Sequence, residues 1–62
     1  MDKTYHFTVT VKDPDGKITQ ELHQVTEKAT AFGAALALGK VVSFYDGLKE
    51  KKKIREYRIM EE

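Results

Sequence analysis

Histidine and acidic side chains are too few and too dispersed to predict a metal or catalytic centre. His6 and His23 are the only histidines, and the chain has no cysteine. Both histidines occupy polar positions of predicted strands, where they would share the solvent face, and no carboxylate completes a zinc-like ligand set with them. We therefore expect no metal and no other cofactor.

The segment Asp13-Pro14-Asp15-Gly16 starts like a calcium-binding loop but does not continue as one. Such a loop needs a bidentate glutamate at its twelfth position, and Gln24 stands there. The segment instead predicts a turn between strands, because Pro14 fixes φ and Gly16 accepts a positive φ. Ser43 lies within a predicted helix and lacks the glycine-rich elbow that exposes a nucleophile. The sequence therefore predicts a protein that is not an enzyme.

The size of the chain favours self-association. Its 62 residues form one domain, 1–62. A domain of this size buries only about 60% of its unfolded surface, and it commonly gains stability from disulfides, metals or oligomers. Without cysteine, oligomerisation is the remaining route.

The absence of cysteine, the N-terminal strand pattern and the length of the apolar run together predict where the protein is located. The absence of cysteine fits a reducing cytoplasm, and the chain opens directly into a strand pattern rather than a signal peptide. The apolar run over 29–45 is shorter than the roughly 18–20 residues of a membrane span and contains Gly33, Gly39 and Lys40. We expect a cytoplasmic protein that does not enter a membrane.

Hydrophobic periodicity predicts the element order β-β-α-β. Strands are expected at 5–12, 17–25 and 54–60, and a helix from the N-cap Thr26 to about Tyr45, ended by Gly47. The second strand is the more polar one and is expected at an edge, with Ile18 and Leu22 inward. A right-handed crossover gives a three-stranded sheet of order 2-1-3 with one long helix on one face, an α+β fold.

The predicted sheet has one solvent face. Alternation in the first two strands assigns the following residues to it: His6, Thr8, Thr10, Thr19, Glu21 and His23.

The predicted helix is too apolar for an element that packs on one side only. At 100° per residue, one broad side is expected to face the sheet: Ala31, Ala34, Ala35, Leu38, Val41, Val42 and Tyr45. A separate strip of small residues with larger neighbours is expected to meet another helix: Ala29, Phe32, Gly33, Leu36, Ala37, Lys40 and Phe44. A different helix rotation would instead turn Phe32, Leu36 and Gly39 toward the sheet. In both cases an apolar surface remains, which favours a protein–protein interaction module that forms a homodimer.

A basic segment near the end of the chain supports an alternative function. Its cations are Lys49, Lys51, Lys52, Lys53, Arg55 and Arg58. They favour a nucleic-acid-binding accessory protein if they project from one surface. The other interpretation is a solvated connection that keeps an edge strand from aggregating. The net charge of +1 on the whole chain does not favour a strongly basic nucleic-acid binder, and it argues against an acidic mimic of DNA.

The first hairpin resembles a known family. The segments Tyr5-His6-Phe7-Thr8, Asp13-Pro14-Asp15-Gly16-Lys17 and Glu21-Leu22-His23 are similar to the opening hairpin of a small phage protein that inhibits uracil-DNA glycosylase. The resemblance covers about a third of the chain and implies a dimeric fold with a helix on a sheet. It also implies a third function, a phage-type inhibitor of a host enzyme. No inhibitory residue of that family matches a position in this helix.

Overall fold

The computed structural model describes residues 1–62 and has the predicted element order. It consists of β1 (Asp2–Lys12), β2 (Ile18–Lys28), α1 (Ala31–Glu50) and β3 (Glu56–Glu61). The sheet order is β2-β1-β3, and both pairs of neighbouring strands are antiparallel. The α+β fold, with one helix packed against a three-stranded sheet of order 2-1-3, is therefore confirmed.

The central strand β1 supplies half of the apolar core. Tyr5, Phe7, Val9 and Val11 alternate along β1, and all four are buried beneath α1. Phe7 and Val9 are fully inaccessible to solvent. The β-branched and aromatic side chains at period two are the ones that suit a pleated surface with one buried face.

The turn between β1 and β2 sets a register without a bulge. Asp13 donates its N–H to the carbonyl of Lys17 at 2.8 Å, and Gly16 has a φ of +92°. The Lys17 N–H also donates to Asp15 Oδ1 at 3.2 Å. From this turn the two strands pair continuously from Lys12 with Ile18 to Asp2 with Lys28.

This register corrects the predicted orientation of β2. Glu21 lies opposite Val9, and His23 lies opposite Phe7, so both face α1 rather than solvent, as does Thr19. Ile18 and Leu22 lie on the uncovered face and are 64% and 78% exposed, although the sequence predicted them inward. The turn fixes which face each residue takes, and the mixed polarity of β2 does not overrule it.

The transition from β2 to α1 occurs later than predicted. Val25 pairs regularly with Tyr5, and β2 continues to Lys28, so Thr26 is not a helix cap. The N-cap is Thr30, whose side-chain oxygen accepts a hydrogen bond from the Gly33 N–H at 3.0 Å. This bond satisfies one of the free N–H groups of the first helical turn.

The helix also ends later than predicted. Gly47 lies inside α1, and its carbonyl accepts the N–H of Lys51, the C-cap residue. Lys52 has a φ of +60° and turns the chain toward β3. Ile54 precedes β3 and is buried, while Tyr57 and Ile59 are half-buried and pack on the core as predicted.

The rotation of α1 differs from both predicted orientations. The row that faces the sheet has a spacing of four: Gly33, Ala37, Val41 and Tyr45. The prediction that Gly33 and Ala37 face outward is therefore wrong. Gly33 lies so close to Lys28 that an added Cβ would overlap the Lys28 carbonyl oxygen. The small residues do permit a close approach, but to the backbone of β2 rather than to a partner.

The exposure of the remaining α1 residues agrees with this rotation of the helix. Val41 and Tyr45 face the sheet as predicted, and Ala34 and Val42 are half-buried. Ala31, Ala35 and Leu38 are exposed, although the sequence assigned them to the sheet. Phe32, Leu36 and Gly39 are also exposed, which excludes the alternative rotation.

Alanine substitutions at two glycines of α1 test this rotation. Gly33→Ala is expected to lower the free energy of unfolding by about 1–3 kcal/mol, because the new methyl group must displace backbone. Gly39→Ala meets no atom within 4 Å. It is expected to raise the free energy of unfolding of the single chain by about 0.5–1 kcal/mol through helix propensity, so both variants are compared at a protein concentration low enough to keep the chain monomeric. Urea denaturation followed by circular dichroism measures both, and equal effects of the two substitutions would contradict the orientation.

Candidate interaction surface

The outward side of α1 carries a ridge of large side chains. Phe32, Leu36, Lys40 and Phe44 occur at a spacing of four and therefore line up along the helix. Phe32 is 73% exposed, and Phe44 is 55% exposed. We call these four residues the ridge. It retains four residues of the predicted interface, whereas Gly33 and Ala37 are buried and Ala29 lies exposed in the connection before α1.

A row of small residues lies beside the ridge. Ala35, Gly39, Ser43 and Gly47 also have a spacing of four, and we call this row the groove. No atom lies within 4 Å of a Cβ built on Gly39 or Gly47. A glycine inside a helix costs up to about 1 kcal/mol relative to alanine, and no contact within the monomer requires one at either position. This row was not predicted from the sequence, because the small residues of the neighbouring row, Gly33 and Ala37, were expected at the interface.

The ridge lies on the β2 side of the helix. Lys40 forms an ion pair with Glu27 of β2, whose side chain is only 16% exposed. The ring of Phe44 lies 5.8 Å from the ring of His23, also on β2. On the other side of α1, Asp46 accepts a hydrogen bond from Tyr57 of β3. Leu38, eight residues before Asp46 and therefore in the same row of the helix, lies on this second side.

A polar cluster beneath Phe44 joins α1 to β2. The Tyr45 hydroxyl donates to Glu21 Oε1 at 2.7 Å and is also hydrogen-bonded to His23 Nε2. Burial raises the pKa of Tyr45, and the hydrogen bond and negative charge of Glu21 raise it further. The hydroxyl therefore stays protonated near neutral pH and serves as a structural hydrogen-bond donor. Its partners face α1 only because of the β2 register.

A second tyrosine links α1 to β3 near the surface. The Tyr57 hydroxyl donates to Asp46 Oδ1 at 2.6 Å. This hydrogen bond is the main cause of the raised pKa of Tyr57, with smaller contributions from burial and from the Asp46 charge. Both hydroxyls therefore link the helix to the sheet in their protonated form.

The two histidines lie on opposite faces of the sheet. His23 faces α1, whereas His6 lies on the uncovered face with Thr8 and Thr10, as predicted for these three residues. The predicted shared solvent face for the histidines is therefore wrong. No group of three or more histidine, cysteine, aspartate or glutamate side chains is arranged to hold a metal ion.

The basic segment is divided between two surfaces. Arg58 lies on the uncovered face of the sheet, opposite Thr10. The other five cations are exposed at the end of α1 and in the connection to β3: Lys49, Lys51, Lys52, Lys53 and Arg55. None of the six forms an ion pair, since the only ion pairs join Lys28 to Asp2 and Lys40 to Glu27. These five cations form one basic end of the molecule, which does not include Arg58.

The length and composition of α1 also meet the criteria for a membrane-spanning helix. The same criteria are met by helices that cover the core of a soluble protein. In this structure, one row of α1 is buried against the sheet, while the ridge and the groove are exposed except at Gly47, which is half-buried.

Removal of one hydroxyl tests the polar cluster. Tyr45→Phe is expected to lower the free energy of unfolding by about 1–2 kcal/mol, because Glu21 and His23 lose a shared partner. The pKa of Tyr45 is higher in the folded protein than its value of about 10 in the unfolded chain. The contribution of Tyr45 to the free energy of unfolding is therefore retained below about pH 10 and decreases above it. The decrease should be smaller in the variant. Urea denaturation at about pH 8 and about pH 11 measures it, and identical pH dependence would contradict the assigned bonds.

No family model, curated protein or solved structure matches this chain. The resemblance of the first hairpin to the glycosylase inhibitors therefore stays a prediction from its residues.

Proposed function

We propose that this protein is a small, non-enzymatic protein–protein interaction module that works as a homodimer through the exposed side of α1. The observation that carries the proposal is the ridge of Phe32, Leu36, Lys40 and Phe44 beside a groove of small residues. Helices pack when the ridge of one enters the groove of another. A surface that has both features is complementary to a second copy of itself, as a two-fold symmetric interface requires.

The exposed area of the monomer supports a partner. A monomeric protein of this mass has an average accessible surface of about 4,100 Å². The single chain exposes 4610 Å², which is about 500 Å² more than that average. Small specific interfaces bury about 600 Å² on each partner. The shape of the chain is elongated, 42 × 19 × 12 Å, and a small dimer would remove a comparable area from solvent.

The small core supports the same proposal. Only 9 of 62 residues are buried, and eight of them form a single apolar cluster. Phe32 and Phe44 are large apolar side chains that the monomer leaves mostly exposed. Full burial of such a side chain stabilises by about 1.5–3 kcal/mol, so a dimer gains what the monomer lacks.

A second candidate function rests on the basic end of the molecule. Its five cations project into solvent without acidic partners, which is the arrangement that contacts with phosphates need. This alternative is a nucleic-acid-binding accessory protein. A third candidate, an inhibitor of a host enzyme, is supported by the hairpin resemblance alone.

Two leucines on α1 give a matched test of the dimer. Leu36 belongs to the ridge and is 41% exposed, whereas Leu38 lies on the β3 side and is 40% exposed. Leu36→Gln is expected to raise the dimer dissociation constant by about tenfold, since a central interface side chain contributes more than about 1 kcal/mol. Leu38→Gln should leave it unchanged. Sedimentation equilibrium measures both, and equal effects would locate the interface elsewhere.

Salt dependence separates the first two candidates. The mass from light scattering should correspond to a dimer at low and at high salt, because apolar contacts are not screened. If the wild type is a monomer that binds DNA or RNA with an affinity falling steeply as salt increases, the second function replaces the first.

A further inference from the structure

The outer edge of β2 lacks most of the features that protect exposed strands from pairing. It does carry two charged side chains directed toward α1, Glu21 and Glu27. Glu21 is bonded to Tyr45 and Glu27 is paired with Lys40, so neither charge is left without a partner. Natural edges are commonly short, bulged or interrupted by proline or lysine. β2 is 11 residues long, pairs with β1 without a bulge, contains no proline and has a lysine only at its last position, Lys28. The other edge, β3, has 6 residues and carries Arg58. β2 is therefore the edge that is available to another strand.

The hydrogen bonds of the hairpin show which backbone groups of β2 are free. Asp13 donates to the Lys17 carbonyl, and Ala29 donates to the Met1 carbonyl, so the odd-numbered residues of β2 bond to β1. The even-numbered residues direct their N–H and C=O groups to the open edge: Ile18, Gln20, Leu22, Gln24, Thr26 and Lys28.

This edge adjoins the ridge. Lys40 reaches Glu27, and Phe44 lies against His23, so the exposed flank of α1 stands directly above the β2 edge. A second copy that approaches from this side meets the strand and the ridge together. The apolar flank and the free backbone groups thus form one continuous surface.

We infer that β2 pairs in antiparallel orientation with β2 of a second copy, so that the homodimer has a continuous six-stranded sheet with both helices on one face. The inference rests on the proposed homodimer and specifies how its two copies meet. A two-fold axis perpendicular to the sheet relates the copies, since only this axis makes adjacent identical strands antiparallel.

The spacing of the elements suits this arrangement. Neighbouring strands lie about 4.8 Å apart. A helix that covers the β1–β2 half of the sheet would lie about 10 Å from its symmetry mate, and packed helices are about 8–10 Å apart. The exposed flanks of the two helices would then be in contact, which buries Leu36 and Phe44.

Charge excludes one register, and the position of the ridge selects among the others. With Val25 on the two-fold axis, His23 lies opposite Glu27 of the second copy, and no like charges are opposed. With Gln24 on the axis, Glu21 would oppose Glu27 of the second copy. Registers on His23 or Leu22 also oppose no like charges along the strands, but they move the axis to the Phe44 end of the ridge or beyond it. The register on Val25 places Lys40 near the axis, because Phe44 lies above His23 and two strand residues span about four helical residues. The two Lys40 side chains then lie near each other, and each keeps its ion pair with Glu27. Leu36 then packs beside Phe44 of the second copy and reaches the end of its groove at Ser43 and Gly47.

Two glutamines of β2 test the pairing. Both have their N–H groups on the open edge, so proline at either position leaves the bonds to β1 intact. In the proposed register, Gln24 donates to Thr26 of the second copy, whereas Gln20 lies beyond the paired segment. Gln24→Pro is expected to raise the dimer dissociation constant at least about tenfold, and Gln20→Pro to leave it unchanged. Sedimentation equilibrium measures association, and circular dichroism verifies folding.

A cross-link provides a second measurement that does not depend on proline being tolerated. Val25→Cys is expected to form an intermolecular disulfide on mild oxidation, because residues on the axis bring their Cβ atoms close together. Thr19→Cys, on the same face of β2, should not form one. A disulfide at position 25 together with a weakened Gln24→Pro dimer supports the inference.

The remaining outcomes separate failure of the strand pairing from failure of the homodimer. If Gln24→Pro folds and dimerises as the wild type does and Val25→Cys does not cross-link, the strand pairing is overturned and the helix dimer stands. If both proline variants lose association and Val25→Cys does not cross-link, the register on Val25 is overturned. If the wild type is a monomer, both proposals fall.

Discussion

The burial of one face of β1 beneath α1 is the interaction on which the rest of the structure depends. Tyr5, Phe7, Val9 and Val11 contribute one half of the apolar core, and α1 contributes most of the other half. A sheet of three strands needs such a cover, because strands without a packed face are marginal in water. The positions of β2 and β3 follow from their pairing with the two edges of β1.

The close contact between Gly33 and Lys28 determines which side of α1 is left exposed. Since this contact turns the row from Gly33 to Tyr45 toward the sheet, the ridge is directed to the β2 side and the groove to solvent. The polar cluster around Tyr45 holds the other end of the same row. One local approach of backbone to backbone therefore governs the orientation of the whole candidate interface.

The element order and the strand order could be predicted from the sequence because they depend on strong signals. Alternation in β1, the Asp13–Gly16 turn and the apolar helix are each visible in the residues. The orientation of β2 could not be predicted from its composition, since Ile18 and Leu22 suggest one face and the register imposes the other. The two ends of α1 could not be predicted either, because Thr26 and Gly47 are residue types that commonly cap helices. The N-cap is instead Thr30, and the C-cap is Lys51.

The candidate site was predicted in part for a related reason. Phe32, Leu36, Lys40 and Phe44 were predicted outside the sheet-facing side of the helix, and all four are exposed, while their role in an interface stays a prediction. The role of the small residues was reversed, since glycine and alanine permit close approach to any neighbour. The sequence alone does not show whether these small residues approach a neighbouring strand or a second molecule. In the folded chain, Gly33 lies against the backbone of β2.

The unbroken hairpin has a consequence for the order of folding events. Its turn joins two strands that pair residue by residue, and α1 follows after a connection of two residues, so these contacts close short loops. β3 reaches β1 only after the chain has crossed the length of α1, which closes a much longer loop at a greater cost in entropy. Contacts that are distant along the chain slow folding. We therefore expect the hairpin and the helix to form the nucleus, with β3 docking late onto the second edge of β1.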